Sequence, residues 1–164
     1  MAVGHTDSMH NAQCSMPNEG MAVETGEISR RLKIAVETAR RSAAEQRGRD
    51  ETAQAAYETF IQKVAAPLAK QLVNVLKVEG MAFTVFTPAG GLRLSSDRNR
   101  DDYVELALEP GETDLRVVGH ISRVRGSRTL AETLAVKEDV KVEALSEEDL
   151  LEFLLRALRP WLER

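Results

Sequence analysis

The stretch YVELALEPGETDLRVVGHIS, residues Tyr103 to Ser122, carries the clearest strand pattern in the chain. Val104, Leu106 and Leu108 alternate with polar or small residues, which is the pattern of a strand with one buried and one solvated face. A second alternating segment begins at Leu115, only a few residues later. Because a parallel crossover needs a dozen or more residues, so short a connection predicts two antiparallel strands.

In the second of these strands, alternation separates two sets of side chains. We expect the first set to face the core and the second to face the other side of the sheet; they comprise Leu115, Val117, Gly119 and Ile121, and Arg116, Val118 and His120, respectively. Three further segments alternate in the same way, at Met81–Thr87, Leu92–Ser95 and Arg128–Val136. Val140–Ala144 is a candidate for a sixth strand. The sequence therefore predicts a five- to six-stranded antiparallel β-meander over residues 80–145.

The adjacent glycines Gly90 and Gly91 raise the question of a phosphate-binding loop. Such a loop needs a helix directly after the glycines, because the free N–H groups of the helix N-terminus bind the anion. The segment that follows here alternates like a strand. The two glycines therefore predict a hairpin turn.

Residues 24–79 show helical periodicity. An alanine-rich stripe comes first and a stronger apolar stripe follows: Ile28, Leu32, Ala35, Ala39 and Ala43, then Tyr57, Phe60, Ile61, Val64, Leu68, Leu72, Val75 and Leu76. Gly48 between them is compatible with one long bent helix or with a helix pair, residues 24–47 and 50–79, and the pair is favoured. Pro67 predicts a kink, because it lacks an N–H group and clashes with the preceding turn. Gly80 predicts the end of the helical region.

Residues 146–164, SEEDLLEFLLRALRPWLER, predict a C-terminal amphipathic helix packed on the sheet. Ser146 and Asp149 have the spacing of a capping box. Apolar residues cover so much of this helix that two sides need shelter, one from the sheet and one from another helix or another copy of the chain. The predicted fold class is α+β: an N-terminal long helix or helix pair, the β-meander and this C-terminal helix.

Length and composition favour one folded domain. The chain has 164 residues, of which 43% are hydrophobic. Residues 1–23 lack hydrophobic periodicity, which predicts a disordered tail, and residues 24–164 are predicted to form a single domain. His5, His10 and Cys14 in the tail do not have the spacing of a zinc site, so no metal and no cofactor is predicted.

The same composition bears on compartment and partners. The single cysteine cannot form an intrachain disulfide, and no apolar run reaches the roughly 20 residues of a membrane helix. These observations favour a cytoplasmic protein without a membrane span. The formal net charge is −4 and no segment is strongly basic, which argues against nucleic acid as a partner.

The loop SSDRNRDD, Ser95–Asp102, combines three aspartates with two arginines. It lacks the spacing and the closing glutamate of an EF-hand calcium loop. We therefore expect a solvated loop with local pairing between its aspartates and arginines.

Six basic side chains of the predicted sheet form a candidate binding set: Arg93, Arg116, His120, Arg123, Arg125 and Arg128. On one face they could collect an anionic ligand or an acidic partner. Glu105 and Glu109 lie at outward positions of the intervening strand, and cross-strand pairing with them would neutralise that face. A paired strand surface is the favoured interpretation.

His120 and Ser122 share one face of a strand and are the candidates for acid–base or nucleophilic chemistry. Neither a nucleophile elbow nor an oxyanion loop accompanies them in the sequence. The sequence therefore predicts no catalytic residues, with these two as the positions to inspect.

The hypothesis that fits these patterns is a non-enzymatic protein-interaction or adaptor domain that forms a homodimer through its helices, because apolar helical surface exceeds what one sheet can cover. Seven residues are expected to carry self-association: Leu32, Ala35, Ala39, Tyr57, Val64, Leu68 and Leu72. The first alternative is a module that binds a small ligand or anion, in the cleft between sheet and C-terminal helix or at the arginines. The second is a hydrolase-like enzyme that uses His120.

Overall fold

The computed structural model describes residues 23–163 and has the predicted α+β fold. Its elements are α1 (Thr25–Phe60), a π-helical turn (Ile61–Ala65), α2 (Ala66–Val78), β1 (Phe83–Phe86), β2 (Leu92–Ser96), β3 (Tyr103–Pro110), β4 (Leu115–Arg125), β5 (Arg128–Ala135), a 3-10 turn (Val142–Ala144) and α3 (Glu147–Leu162). The chain divides at Arg40 into two compact units. The second unit holds the sheet and the hydrophobic core. The predicted tail, with His5, His10 and Cys14, lies outside the described residues apart from Val23.

α1 is one continuous helix, so the favoured helix pair is wrong and the long helix is the alternative observed. Gly48 lies inside it, and the Thr52 hydroxyl donates a hydrogen bond to the Gly48 carbonyl at 2.9 Å. A glycine inside a helix costs only about 1 kcal/mol relative to alanine. That cost is too small to end a helix whose neighbouring residues are good helix formers.

A π-helical turn joins α1 to α2 directly before Pro67, where the sequence predicts a kink. The Ala66 N–H donates to the Ile61 carbonyl, five residues back. Four buried residues on this stretch follow at a constant spacing of four: Tyr57, Ile61, Ala65 and Ala69. That spacing drifts by about 40° per step around a regular α-helix, and a wider turn reduces the drift. The π-helical turn therefore helps to keep all four on the core side.

The sheet is the predicted antiparallel meander, with strand order β1-β2-β3-β4-β5. Five strands are present, and the candidate sixth strand at Val140–Ala144 is instead a loop with a 3-10 turn. Asp139 just before it has a φ of 54°, a left-handed conformation that interrupts an extended path. The alternation at residues 140–144 therefore does not report a strand.

α3 packs on the inner face of the sheet, and its N-terminus has the predicted capping box between Ser146 and Asp149. α3 approaches the sheet closely at Gly119 in β4, where a Cβ atom would lie 2.2 Å from Cζ of Phe153. Leu150, Leu154 and Leu158 of α3 are also almost completely buried. The sheet residues that share this core with them include Leu92, Leu94, Val104, Leu106, Val117 and Ile121.

Candidate functional site

The outer face of the sheet, opposite the face that packs on α3, carries the predicted polar side chains. The strand register aligns four of them in a row across β2 to β5: Arg93, Glu105, His120 and Thr133. All four are at least partly exposed. Val118 lies on the same face by alternation, but it is fully buried between its strand neighbours Ala107 and Ala135. Val118 therefore lies on the face that alternation predicts, and it is buried there.

Arg93 is held by two contacts on this face. Its Nη2 lies 2.7 Å from Oε2 of Glu105 on the next strand. Its guanidinium carbon lies 3.9 Å from the centre of the Tyr103 ring, which is a cation–π geometry. The cross-strand pairing expected of Glu105 is thus present. It places a carboxylate beside Arg93, where it would oppose the binding of an anion.

His120 lies between a carboxylate and a hydroxyl. Its Nε2 is 2.8 Å from Oε1 of Glu109, and its Nδ1 is 2.9 Å from Oγ1 of Thr133. Both ring nitrogens therefore have partners within hydrogen-bond distance. Ser122, the other predicted candidate, is buried opposite Tyr103 and is not one of those partners.

The candidate binding set does not gather on one face. Alternation puts Arg93, Arg116 and His120 on the outer face, whereas it puts Arg123, Arg125 and Arg128 on the opposite side of the sheet, near the turn between β4 and β5. Arg116 also has a partner, because its Nη1 lies 3.5 Å from Oε2 of Glu138. Two smaller groups of basic side chains replace the single cluster that would concentrate positive charge.

A groove beside Arg93 and another beside Arg116 each include a member of the binding set. A surface groove of about 540 Å³ beside Arg93 is also lined by Phe86, Pro88, Ser95, Arg100 and Glu105. Phe86 is half-exposed there. Because Glu105 pairs with Arg93, Arg100 is the cation of this groove without an ion pair among the described residues.

Asp102 is a buried polar residue, whereas the sequence predicts that it lies in a solvated loop. One carboxylate oxygen accepts the Val124 N–H at 2.6 Å, and the other accepts Nε1 of Trp161 at 3.1 Å. These partners are a backbone amide and an indole, so the predicted pairing with an arginine of the same loop is wrong for Asp102. The available signal was Trp161, because a buried indole N–H needs an acceptor.

The residues predicted for self-association separate into two groups. Leu32, Ala35 and Ala39 on α1 are exposed. The other four belong to the second unit: Tyr57, Leu68 and Leu72 are buried in its core, and Val64 packs against that core. Large apolar side chains are exposed on the N-terminal part of α1, namely Ile28 at 52%, Leu32 at 61%, Ile34 at 57% and Val36 at 38%.

No protein-family model, curated protein or solved structure matches the chain. Within residues 23–163 there is no helix that combines the length and the apolar character needed to cross a membrane. The same residues contain no cluster of three or more histidine, cysteine or acidic side chains arranged to hold a metal ion. Any functional assignment therefore depends on the surfaces described above.

Proposed function

We propose that this chain is a non-enzymatic protein-interaction domain that associates with a second copy of itself through α1. The observation that carries the proposal is the exposure of apolar side chains along the N-terminal part of this helix. No residue of α1 before Ala53 is buried. Ile28, Leu32 and Ile34 are apolar, and each of them is more than half exposed.

Most helical stability in proteins comes from packing an apolar face, and a helix without such packing is marginal in water. Ile28, Leu32, Ala35 and Ala39 recur at spacings of three and four, which places them on one side of the helix. The alanines allow a second helix to approach closely. A second copy offers the same stripe, so the contact is self-complementary.

Sedimentation velocity over a range of micromolar concentrations tests this proposal. We expect the wild-type chain to sediment as a species larger than the monomer, and Ile28→Glu combined with Leu32→Glu to lower that mass. Val78→Glu is the matched control, because Val78 is 84% exposed but lies at the end of α2. A mass that the α1 variant leaves unchanged overturns the proposal, even if the wild-type chain is oligomeric.

One observation favours a second candidate function, a hydrolase-like activity centred on His120. Glu109, His120 and Thr133 form a continuous line of acid, imidazole and hydroxyl through contacts of 2.8 and 2.9 Å. In that arrangement a carboxylate orients the imidazole, which can take the hydroxyl proton as a base. The row is on an open strand surface, so binding of a substrate would have to come from its neighbours.

A chromogenic ester such as p-nitrophenyl acetate tests this second candidate. If Glu109, His120 and Thr133 are catalytic, His120→Ala and Thr133→Val should each reduce the rate of ester hydrolysis. The reduced rate should not exceed that of an equal concentration of free imidazole. Ser122→Ala is the control, since Ser122 shares the strand face but does not contact His120. Equal rates for wild type and all three variants exclude the activity.

A further inference from the structure

β5 is an edge strand whose open side is exposed from Arg128 to Leu134. It pairs only with β4 among the strands between residues 23 and 163, and every residue from Arg128 to Leu134 is exposed. Natural edge strands are commonly shortened or carry lysine or proline, which discourage pairing with another chain. The sequence RTLAETLA has eight residues and contains neither.

The backbone groups that face this open side can be identified from the register. Val136 N–H donates to the Val117 carbonyl at 3.0 Å, so this residue pair forms the inward hydrogen bonds to β4. Since the direction alternates, the even-numbered residues of β5 bond to β4 and the odd-numbered ones point outward. The Ala135 carbonyl agrees with this assignment, because Arg156 Nη2 reaches it at 3.5 Å. Thr129, Ala131 and Thr133 therefore present their N–H and C=O groups to the open side.

The side chains of β5 are complementary to their own copy in one antiparallel register. If Arg128 lies opposite Glu132 of a second copy, Glu132 lies opposite the second Arg128 by symmetry, and Leu130 meets its own copy at the two-fold axis. Slipping the strands by two residues in either direction breaks both opposite-charge pairs and places charged residues opposite leucine. Within the described residues neither Arg128 nor Glu132 forms an ion pair, so both are available.

Backbone geometry is compatible with this register. With Leu130 at the two-fold axis, Thr129 lies opposite Ala131 of the second copy, and both present outward hydrogen-bonding groups. Such a pair exchanges both of its N–H and C=O bonds in an antiparallel ladder. Leu130 and its copy then form a non-hydrogen-bonded pair, the type in which side chains come closest.

From these observations we propose that β5 pairs with β5 of a second copy, antiparallel about Leu130, so that two five-stranded sheets join into one continuous sheet. This contact goes beyond the association proposed for α1 and does not depend on it. It commits the open edge to a second copy of the chain. An extended segment of another protein is the competing occupant.

Site-specific disulfide crosslinking in a Cys14→Ser background tests the register. Residues in a non-hydrogen-bonded antiparallel pair have Cα atoms about 4.5 Å apart, which a disulfide can span. Leu130→Cys is therefore expected to give a covalent dimer on mild oxidation. Leu134→Cys is the matched control, since it has similar exposure and the same face but lies opposite position 126 in this register. We expect severalfold less dimer from it.

Charge reversal provides the second measurement. Arg128→Glu in the Leu130→Cys chain places like charges opposite each other and should lower the yield of dimer severalfold, and adding Glu132→Arg should restore it. The Ile28→Glu, Leu32→Glu background separates the two proposals: dimer that persists there supports edge pairing irrespective of the fate of the α1 proposal. No dimer from Leu130→Cys, equal dimer from Leu130→Cys and Leu134→Cys, or no rescue by the double reversal overturns the inference.

Discussion

The indole Nε1 of Trp161 donates a hydrogen bond of 3.1 Å to the buried carboxylate of Asp102. The contact joins the residue before β3 to the last turn of α3. The second carboxylate oxygen accepts the Val124 N–H, so Asp102 also fixes the end of β4. The ring of Trp161 meets Phe83 edge-on, with centroids 5.9 Å apart. One acidic side chain therefore anchors three separate parts of the second unit.

Replacing Asp102 by alanine is expected to destabilise the fold by about 2–3 kcal/mol, because it removes both hydrogen bonds, one of which serves the buried indole N–H of Trp161. Urea unfolding followed by the fluorescence of the single tryptophan measures the change. Asp101→Ala, in the same loop but exposed, is the control and should change stability little. Comparable loss in both variants would contradict the anchoring role.

Alanine at position 119 is expected to destabilise the fold by about 1–3 kcal/mol, because the added methyl group overlaps the Phe153 ring. Shortening that ring should relieve the overlap, so Phe153→Leu is expected to cost less in the Gly119→Ala chain than in the wild type. A double-mutant cycle from chemical denaturation measures this coupling. Additive effects would show that the two positions do not compete for the same space.

Alanine at position 48 is expected to have the opposite effect. A Cβ atom there has nothing within 4 Å, and Gly48 lies inside the continuous helix α1. Gly48→Ala should therefore stabilise the fold by about 0.5–1 kcal/mol through helix propensity. Thermal unfolding monitored by circular dichroism checks the sign. A lower midpoint would argue that the helix is interrupted at this residue.

Tyr57→Phe is expected to destabilise the fold by about 1–2 kcal/mol. The Tyr57 hydroxyl donates a buried hydrogen bond of 3.1 Å to the Leu106 carbonyl, which would lose this partner. Burial, with a smaller effect from the Glu105 charge, raises the pKa of Tyr57 to about 12 from its ordinary value of 10.0. Since the folded state retains this proton longer than the unfolded state, stability should fall as the pH rises from about 10 to 12.

Tyr103→Phe is the natural control, because these are the two tyrosines of the chain. Tyr103 is partly exposed, so its substitution should cost less. Titration of tyrosinate absorbance in Tyr103→Phe reports Tyr57 alone. Ionisation near pH 10 in the folded protein would contradict the buried hydrogen bond.

Asp149 is expected to contribute stability that depends on acidic pH. The hydrogen bond from Lys137 at 2.7 Å, with those from the Ser146 backbone and side chain, lowers the pKa of Asp149 to about 2 from 3.8. Because the folded value is the lower one, the contribution is complete above about pH 4 and is lost as the pH falls through about 2. The stability difference between wild type and Asp149→Asn should therefore shrink across that range. Glu148→Gln, in the same helical turn but outside the capping box, is the control.

Much of the fold follows from local patterns. The alternation around Val104 and Leu106 predicts strands, and the short connections between strands exclude parallel crossovers, so the sequence predicts an antiparallel meander. Ser146 predicts the start of α3. The helix break predicted at Gly48 is wrong. Glycine inside a helix costs only about 1 kcal/mol relative to alanine, and the good helix formers on either side outweigh this cost. Residues 140–144 misled because a left-handed residue such as Asp139 cannot be recognised from alternation alone.

The candidate site was harder to predict, because its properties depend on register. The carboxylates that pair with Arg93 and His120 could be anticipated from outward positions on β3. Arg123 and His120 lie on opposite faces of β4, as simple alternation predicts. The candidate binding set joined them only because both are basic. The burial of Asp102 depends on the distant Trp161, whose position in space no local pattern encodes.

The π-helical turn at Ile61–Ala65 sets the helical phase between Tyr57 and α2. Because a π-helical turn holds about one residue more than an α-helical turn, deleting one residue there would convert it towards regular α-helix and leave this phase nearly unchanged. One residue inserted there would instead rotate Tyr57 by about 100° relative to α2, and its hydroxyl would then point away from the Leu106 carbonyl. Descendants of this chain should therefore tolerate the loss of one residue within Ile61–Ala65 but not a gain.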